Sequence, residues 1–186
     1  MRKFVVLAVL SLTACEDLPP DRSAEHGDVR RAFDAWTRSL AKGDAPTAWA
    51  GMTVGYKSQW LFDLLKDGDS AAHAWRRGLT GETRTTVDLW YNFHKEKNVA
   101  RVPQMDPTII ESPSVVAIWK AVCDEAGAAL KAEMSRLEVV DVYSDGAGAT
   151  VTVRNIRGMT EMYELVPARS TWLVNHWVAP RRQVPR

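Results

Sequence analysis

The sequence predicts an α+β domain in which N-terminal helices pack on a C-terminal four-stranded antiparallel meander. Apolar residues recur at helical spacing as far as Met134, and the period turns to alternation after Leu137. The alternating segments are joined by turns too short for anything but hairpins. Helices first and strands last is the order of an α+β domain, not of an alternating one. A length of 186 residues fits a single domain, and 46% hydrophobic residues against 25% charged excludes extended disorder. With 24 basic and 23 acidic side chains there is no single-sign field, which argues against a nucleic-acid partner.

Asp28 reads as the cap of a first amphipathic helix, with Val29, Phe33, Trp36 and Leu40 on its apolar face and Gly43 at its end. Arg30, Arg31, Asp34 and Arg38 fall on the opposite face and read as solvated. Pro46 suits the first turn of a second helix carrying Ala48, Trp49 and Met52, since the missing N–H lies among donors without helical partners. Trp60, Leu61, Leu64 and Leu65 give a third piece closed by Asp67-Gly68, and Ala71 to Leu79 a fourth, capped by Asp69 or Ser70. From Thr83 onward Val87, Trp90, Tyr91 and His94 keep helical spacing. Residues 98 to 112, with Pro103 and Pro107, read as a loop over one end of the domain. Ser112-Pro113 then opens the longest helix, striped by Val116, Trp119, Cys123, Ala126, Leu130 and Met134.

The expected strands are Leu137 to Tyr143, Ala149 to Ile156, Thr160 to Val166 and Thr171 to Val178, with turns at residues 145–148, 157–158 and 168–170. Val151 and Val153 alternate with Thr150, Thr152 and Arg154, which predicts one buried and one wetter face.

The N-terminus has the order of a processed leader: Arg2-Lys3, an apolar run from Phe4 to Leu12, then small residues. The run is too short for a membrane span, which needs about 20 apolar residues. Leu12-Thr13-Ala14-Cys15 resembles the lipobox of bacterial lipoproteins. That resemblance implies a signal peptide over residues 1–14, a diacylglycerol thioether on Cys15, acylation of the new amino group, and a membrane partner reached through lipid. The protein would then face the periplasm or the exterior. Residues 15–27 read as a lipidated tether, 28–179 as the domain, and 180–186, with Arg181, Arg182 and Arg186, as a solvated basic tail. With Cys15 carrying lipid, Cys123 is left without an intramolecular partner and reads as a small buried hydrophobe.

The helix-then-sheet order, with Ala-Lys-Gly-Asp at 41–44 closing the first helix and Ser170-Thr171-Trp172-Leu173-Val174 entering the last strand, resembles the nuclear transport factor 2-like family. The resemblance implies a cone-shaped fold shared by ketosteroid isomerases, dehydratases, polyketide cyclases and non-enzymatic binding modules, so it selects no function by itself. This chain has more helix between the first pair and the sheet than the family needs.

Eight tryptophans are spread over nearly every element and read as core fill, each burying roughly 200 Å². The four histidines, His26, His73, His94 and His176, show no metal-ligand spacing, and no phosphate-binding or nucleophile-elbow motif is present, so no cofactor is expected. His176 alternates with Trp172 and Val174 and would share their strand face. In an isomerase-like cone the acid or base would come from Tyr91, His94, Tyr163 or His176, which with Trp172 make the candidate pocket. Missing catalytic motifs favour a non-enzymatic module that binds an envelope protein or a small apolar ligand. A small isomerase or hydrolase using a polar pair is the alternative, and a structural subunit of an envelope complex is a third.

Overall fold

The structure is a computed structural model that describes residues 23–99 and 101–178. The expected leader, Cys15, the start of the expected tether and the expected basic tail lie outside the described residues. The element order is α1 (Ser23–Lys42), α2 (Ala45–Ala50), α3 (Val54–Asp67), α4 (Ser70–Gly78), α5 (Gly81–Lys97), α6 (Pro107–Ile110), α7 (Pro113–Met134), β1 (Glu138–Ser144), β2 (Ala149–Arg154), β3 (Thr160–Ala168) and β4 (Thr171–Val178). The strands form one antiparallel sheet in the order β1-β2-β3-β4, the expected meander.

Local chemistry sets most boundaries. Asp44 caps α2 by accepting the Thr47 N–H, with Pro46 in the first turn, and Asp69 caps α4 by accepting the Ala72 N–H. Gly68 ends α3. α1 departs from expectation: it begins at Ser23, and Asp28 lies inside it, paired with Arg31. Glu25 accounts for the extra turn, because an acid in a first turn complements the helix dipole and this one accepts a hydrogen bond from the Ser144 hydroxyl at the end of β1. The helix therefore takes in the last residues of the predicted tether.

Residues 98 to 112 are more than a loop. They include α6, and Val102, Met105 and Ile110 are buried. The Val102 N–H donates to Gln59 Oε1 at 2.9 Å and the Met105 N–H to Ser58 Oγ at 2.8 Å, so the segment is strapped to α3. In α7 the helical dihedrals break at Gly127 (φ 41°, ψ −116°), a conformation only glycine adopts without strain, and the helix kinks there.

One sheet face is packed. Ala149, Val151, Val153, Tyr163, Leu165 and Val174 are buried on it, and Thr150 and Thr152 are half-exposed on the other, as the alternation predicts. α1 lies across the packed face and brings Phe33 to 5.1 Å and Trp36 to 5.7 Å from the Tyr163 ring, centroid to centroid. The pairing slips twice. Between Val139 and Asp141 an extra residue, Val140, bulges from β1, and between Val174 and His176 Asn175 bulges from β4. The outer side of β4 is bridged by the segment after α2: the Val174 N–H donates to Gly51 O and the Thr53 N–H to Val174 O, both at 2.9 Å.

The helical layer closes around three indoles. Trp49 from α2, Trp60 from α3 and Trp119 from α7 lie with ring centroids 5.0 to 5.6 Å apart. The Trp119 N–H donates to Ala45 O at 2.8 Å and the Trp49 N–H to Glu111 Oε2 at 3.1 Å. Beside them Lys57, 4% exposed, places its ammonium 5.3 Å from the Trp49 ring centroid and 2.6 Å from Glu111 Oε1. Tryptophan is thus mostly core here: Trp36, Trp49 and Trp119 are buried and only Trp177 reaches 40% exposure.

Two stability outcomes follow from this packing. A Cβ at Gly51 would lie 2.9 Å from Trp36 Cδ1, inside a packed core and beside the bridge to β4. Gly51→Ala should therefore lower the free energy of unfolding by about 1 to 3 kcal/mol in urea titration. Glu111→Ala strands the Lys57 ammonium and should cost about 2 to 3 kcal/mol. Lys57→Met should cost clearly less in the same titration, because the half-exposed Glu111 stays hydrated.

Candidate functional site

The five candidate pocket residues do not converge. Tyr91 and His94 lie on the buried side of α5. The Tyr91 hydroxyl donates to Leu65 O at 3.1 Å, and the Arg76 guanidinium sits 4.2 Å from its ring centroid. His94 packs edge-on against Trp90 and Phe93, with Nδ1 buried and unpartnered among the described residues. Both side chains belong to the contact of α5 with the helical layer.

Tyr163 points into the core under α1. Its hydroxyl is 3.5 Å from Glu161 Oε2, and burial, reinforced by the Glu161 charge, raises its pKa so that it stays protonated. Glu161 is a buried carboxylate held by neutral donors: Asn155 Nδ2 at 2.5 Å and the Trp177 indole N–H at 3.1 Å. Asn155 also accepts the Arg157 and Met159 N–H groups and so fixes the β2–β3 turn. Glu161 was missed in the sequence, although its spacing of two from Tyr163 places it on the inward face of β3.

His176 is a correction. Regular alternation would put it with Trp172 and Val174, but the Asn175 bulge pairs Leu165 with Val174 and Glu164 with His176. One extra residue turns His176 to the other sheet face. There it meets the Tyr56 ring edge at 6.5 Å and the Arg101–Glu164 ion pair, with Asp63 nearby. Burial and the Arg101 charge lower its pKa against the opposing pull of Glu164 and Asp63. Burial pushes Tyr56 up to about 12 and raises Asp63 as well. The group is polar and half-sheltered, and its Arg101–Glu164 ion pair is exposed.

Trp172 does line a cleft. A cleft of about 560 Å³ lies between α1 and the β3–β4 hairpin. Ala32 and Ala35 leave room on the helix side, where Asp28 and Arg31 form one rim, and Arg169, Ser170, Thr171 and Trp172 form the other. Arg169 turns the hairpin with φ 46°. In the sequence Arg31 reads as a solvated face and Arg169 as turn, because only the docking of α1 on the distant hairpin brings them together.

Cys123 is buried, and desolvation pushes its thiol up to about 11, far from thiolate chemistry at neutral pH. Among the described residues no cluster of His, Cys, Asp and Glu has the arrangement to hold a metal ion, and no helix is long and apolar enough to cross a membrane. Comparison with protein-family models, with curated proteins and with solved structures finds no match.

The His176 environment gives a pH signature. A histidine whose folded pKa lies below its unfolded value opposes folding once the unfolded form begins to protonate. NMR titration should place the His176 midpoint below the ordinary value of about 6.5. As pH falls through about 6.5, the wild type should lose stability relative to His176→Asn, and above that pH the difference between the two should be constant.

Proposed function

We propose that this chain is a lipid-anchored cell-envelope protein whose folded part is a non-enzymatic binding or assembly module. The observation that carries the reading is Leu12-Thr13-Ala14-Cys15 behind a charged and apolar leader. A thiol is required there because the lipid is taken up as a thioether, and anchoring that lasts needs more than one acyl chain, at about 0.8 kcal/mol per buried methylene. Helix α1 begins at Ser23, eight residues after Cys15, so the tether reaches at most about 28 Å. The domain would work close to the bilayer.

The binding reading draws support from how the polar side chains are used. Tyr91, Tyr163 and Glu161 hold structural hydrogen bonds, and in the α1–hairpin cleft the one carboxylate, Asp28, is paired with Arg31 beside cationic and hydroxyl donors. The second reading, a small isomerase or hydrolase, has one observation in its favour, the buried Glu161 beside the Tyr163 hydroxyl. It ranks second because Glu161 already accepts from Asn155 and Trp177.

Mass spectrometry of protein extracted from bacterial membranes should show a chain beginning at Cys15 with three acyl chains. Cys15→Ser should abolish both processing at that point and membrane retention. A wild-type chain recovered unmodified from the soluble fraction would overturn the anchor.

A further inference from the structure

We propose that the cleft between α1 and the β3–β4 hairpin binds a phosphate ester between the guanidiniums of Arg31 and Arg169. This names a ligand class for the binding module proposed above, and calling the cleft a ligand site rests on that reading. The chemistry of the walls is one-sided. Arg169, Ser170, Thr171 and Trp172 are consecutive, each carries a side-chain donor, and all four border the cleft. Asp28, the one carboxylate on the rim, is engaged by Arg31. Arg31 and Asp28 balance each other, so the uncompensated charge of the cleft is the Arg169 guanidinium, set in a wall rich in donors.

A phosphate ester matches that set better than a carboxylate does. Its oxygens accept along several tetrahedral directions, which suits the Arg169 fork and the Ser170 and Thr171 hydroxyls on one rim, with Arg31 on the other exchanging Asp28 for the ester. The ester's organic part is then left against the half-buried Trp172 ring and the small side chains of Ala32 and Ala35. About 560 Å³ is ample for a phosphorylated polyol or headgroup.

The hairpin backbone gives an independent reason. Position 169 has φ 46°, in the left-handed region, where glycine or asparagine serves a tight hairpin and other side chains are strained. Among the described residues the Arg169 guanidinium makes no ion pair that would offset this strain. An arginine in a place suited to glycine is accounted for by what its guanidinium does in the cleft. The helix rim lies in the early turns of α1, close to where the tether joins, so a headgroup of the anchoring bilayer and a free ester are the two sources of such a phosphate that the test separates.

The test is calorimetric titration of glycerol 3-phosphate into the full chain as recovered from cells, first in nonionic detergent. The titration is repeated in vesicles of phosphatidylcholine alone and of phosphatidylcholine with phosphatidylglycerol in equal parts. Saturable binding is expected, weakened at least about tenfold in Arg169→Gly and in Arg31→Gln, because each loses one charged bidentate partner. Arg169→Gly should at the same time raise Tm by about 2 to 4 °C, the shift that relief of a left-handed residue brings in a chain of this size. Weaker titration in the phosphatidylglycerol vesicles assigns the site to a headgroup, and equal titration in both assigns it to a soluble ester. The proposal is overturned if no saturable binding occurs in detergent or in phosphatidylcholine, or if Arg169→Gly binds as the wild type does. An unmodified Cys15 would remove the anchor and leave this titration fully decisive.

Discussion

The meeting of Trp49, Trp60 and Trp119 is the constraint on which the helical layer depends. Each indole comes from a different helix, and two of them spend their N–H groups on other elements, Ala45 O and the Glu111 carboxylate. Short helices such as α2 and α6 have little stability alone. Here they are fixed at their ends by aromatic side chains and by the Lys57–Glu111 pair. The buried Lys57 ammonium is met by both a carboxylate and a ring face, which offsets part of what it loses by leaving water. The sheet has its own centre, where Phe33 and Trp36 meet Tyr163 under α1, and the bridge from Gly51 and Thr53 to Val174 joins the two.

That division of labour explains why the titratable residues are dispersed. α5 holds Tyr91 and His94 against the helical layer, the inward face of β3 holds Glu161 and Tyr163, and the Asn175 bulge sends His176 to the opposite face. Each group meets a different set of neighbours. The α1–hairpin cleft instead gathers Arg169, Ser170, Thr171 and Trp172 from one hairpin along a single wall.

The meander was legible because its signals are local. Hairpin turns have short sequence signatures, and Val151 and Val153 alternate cleanly with threonines. The first turn at Pro46, the cap at Asp69 and the stop at Gly68 were equally local, while the cap at Asp44 was not read from the sequence. What escaped depended on partners far along the chain. The first turn of α1 owes its place to Ser144, and residues 102 and 105 are tied down by side chains of α3. The Asn175 bulge is a property of strand pairing, so alternation counted along the sequence put His176 on the wrong face. Within the candidate cleft Trp172 was legible and its two arginines were not, since one lies on a helix and the other on a hairpin tip.

The two irregularities in strand pairing bear on what the edges of the sheet present to another chain. An unpaired outer strand is a template on which a neighbouring chain can extend the sheet. At β4 that template is occupied by residues 51–53, and the insertion at Asn175 breaks its straightness beyond them. At β1 the extra Val140 distorts the strand, and the exposed carboxylates of Glu138 and Asp141 flank it. Among the described residues neither border offers a long flat row of free N–H and C=O groups, so edge-to-edge extension of the sheet has no ready starting point.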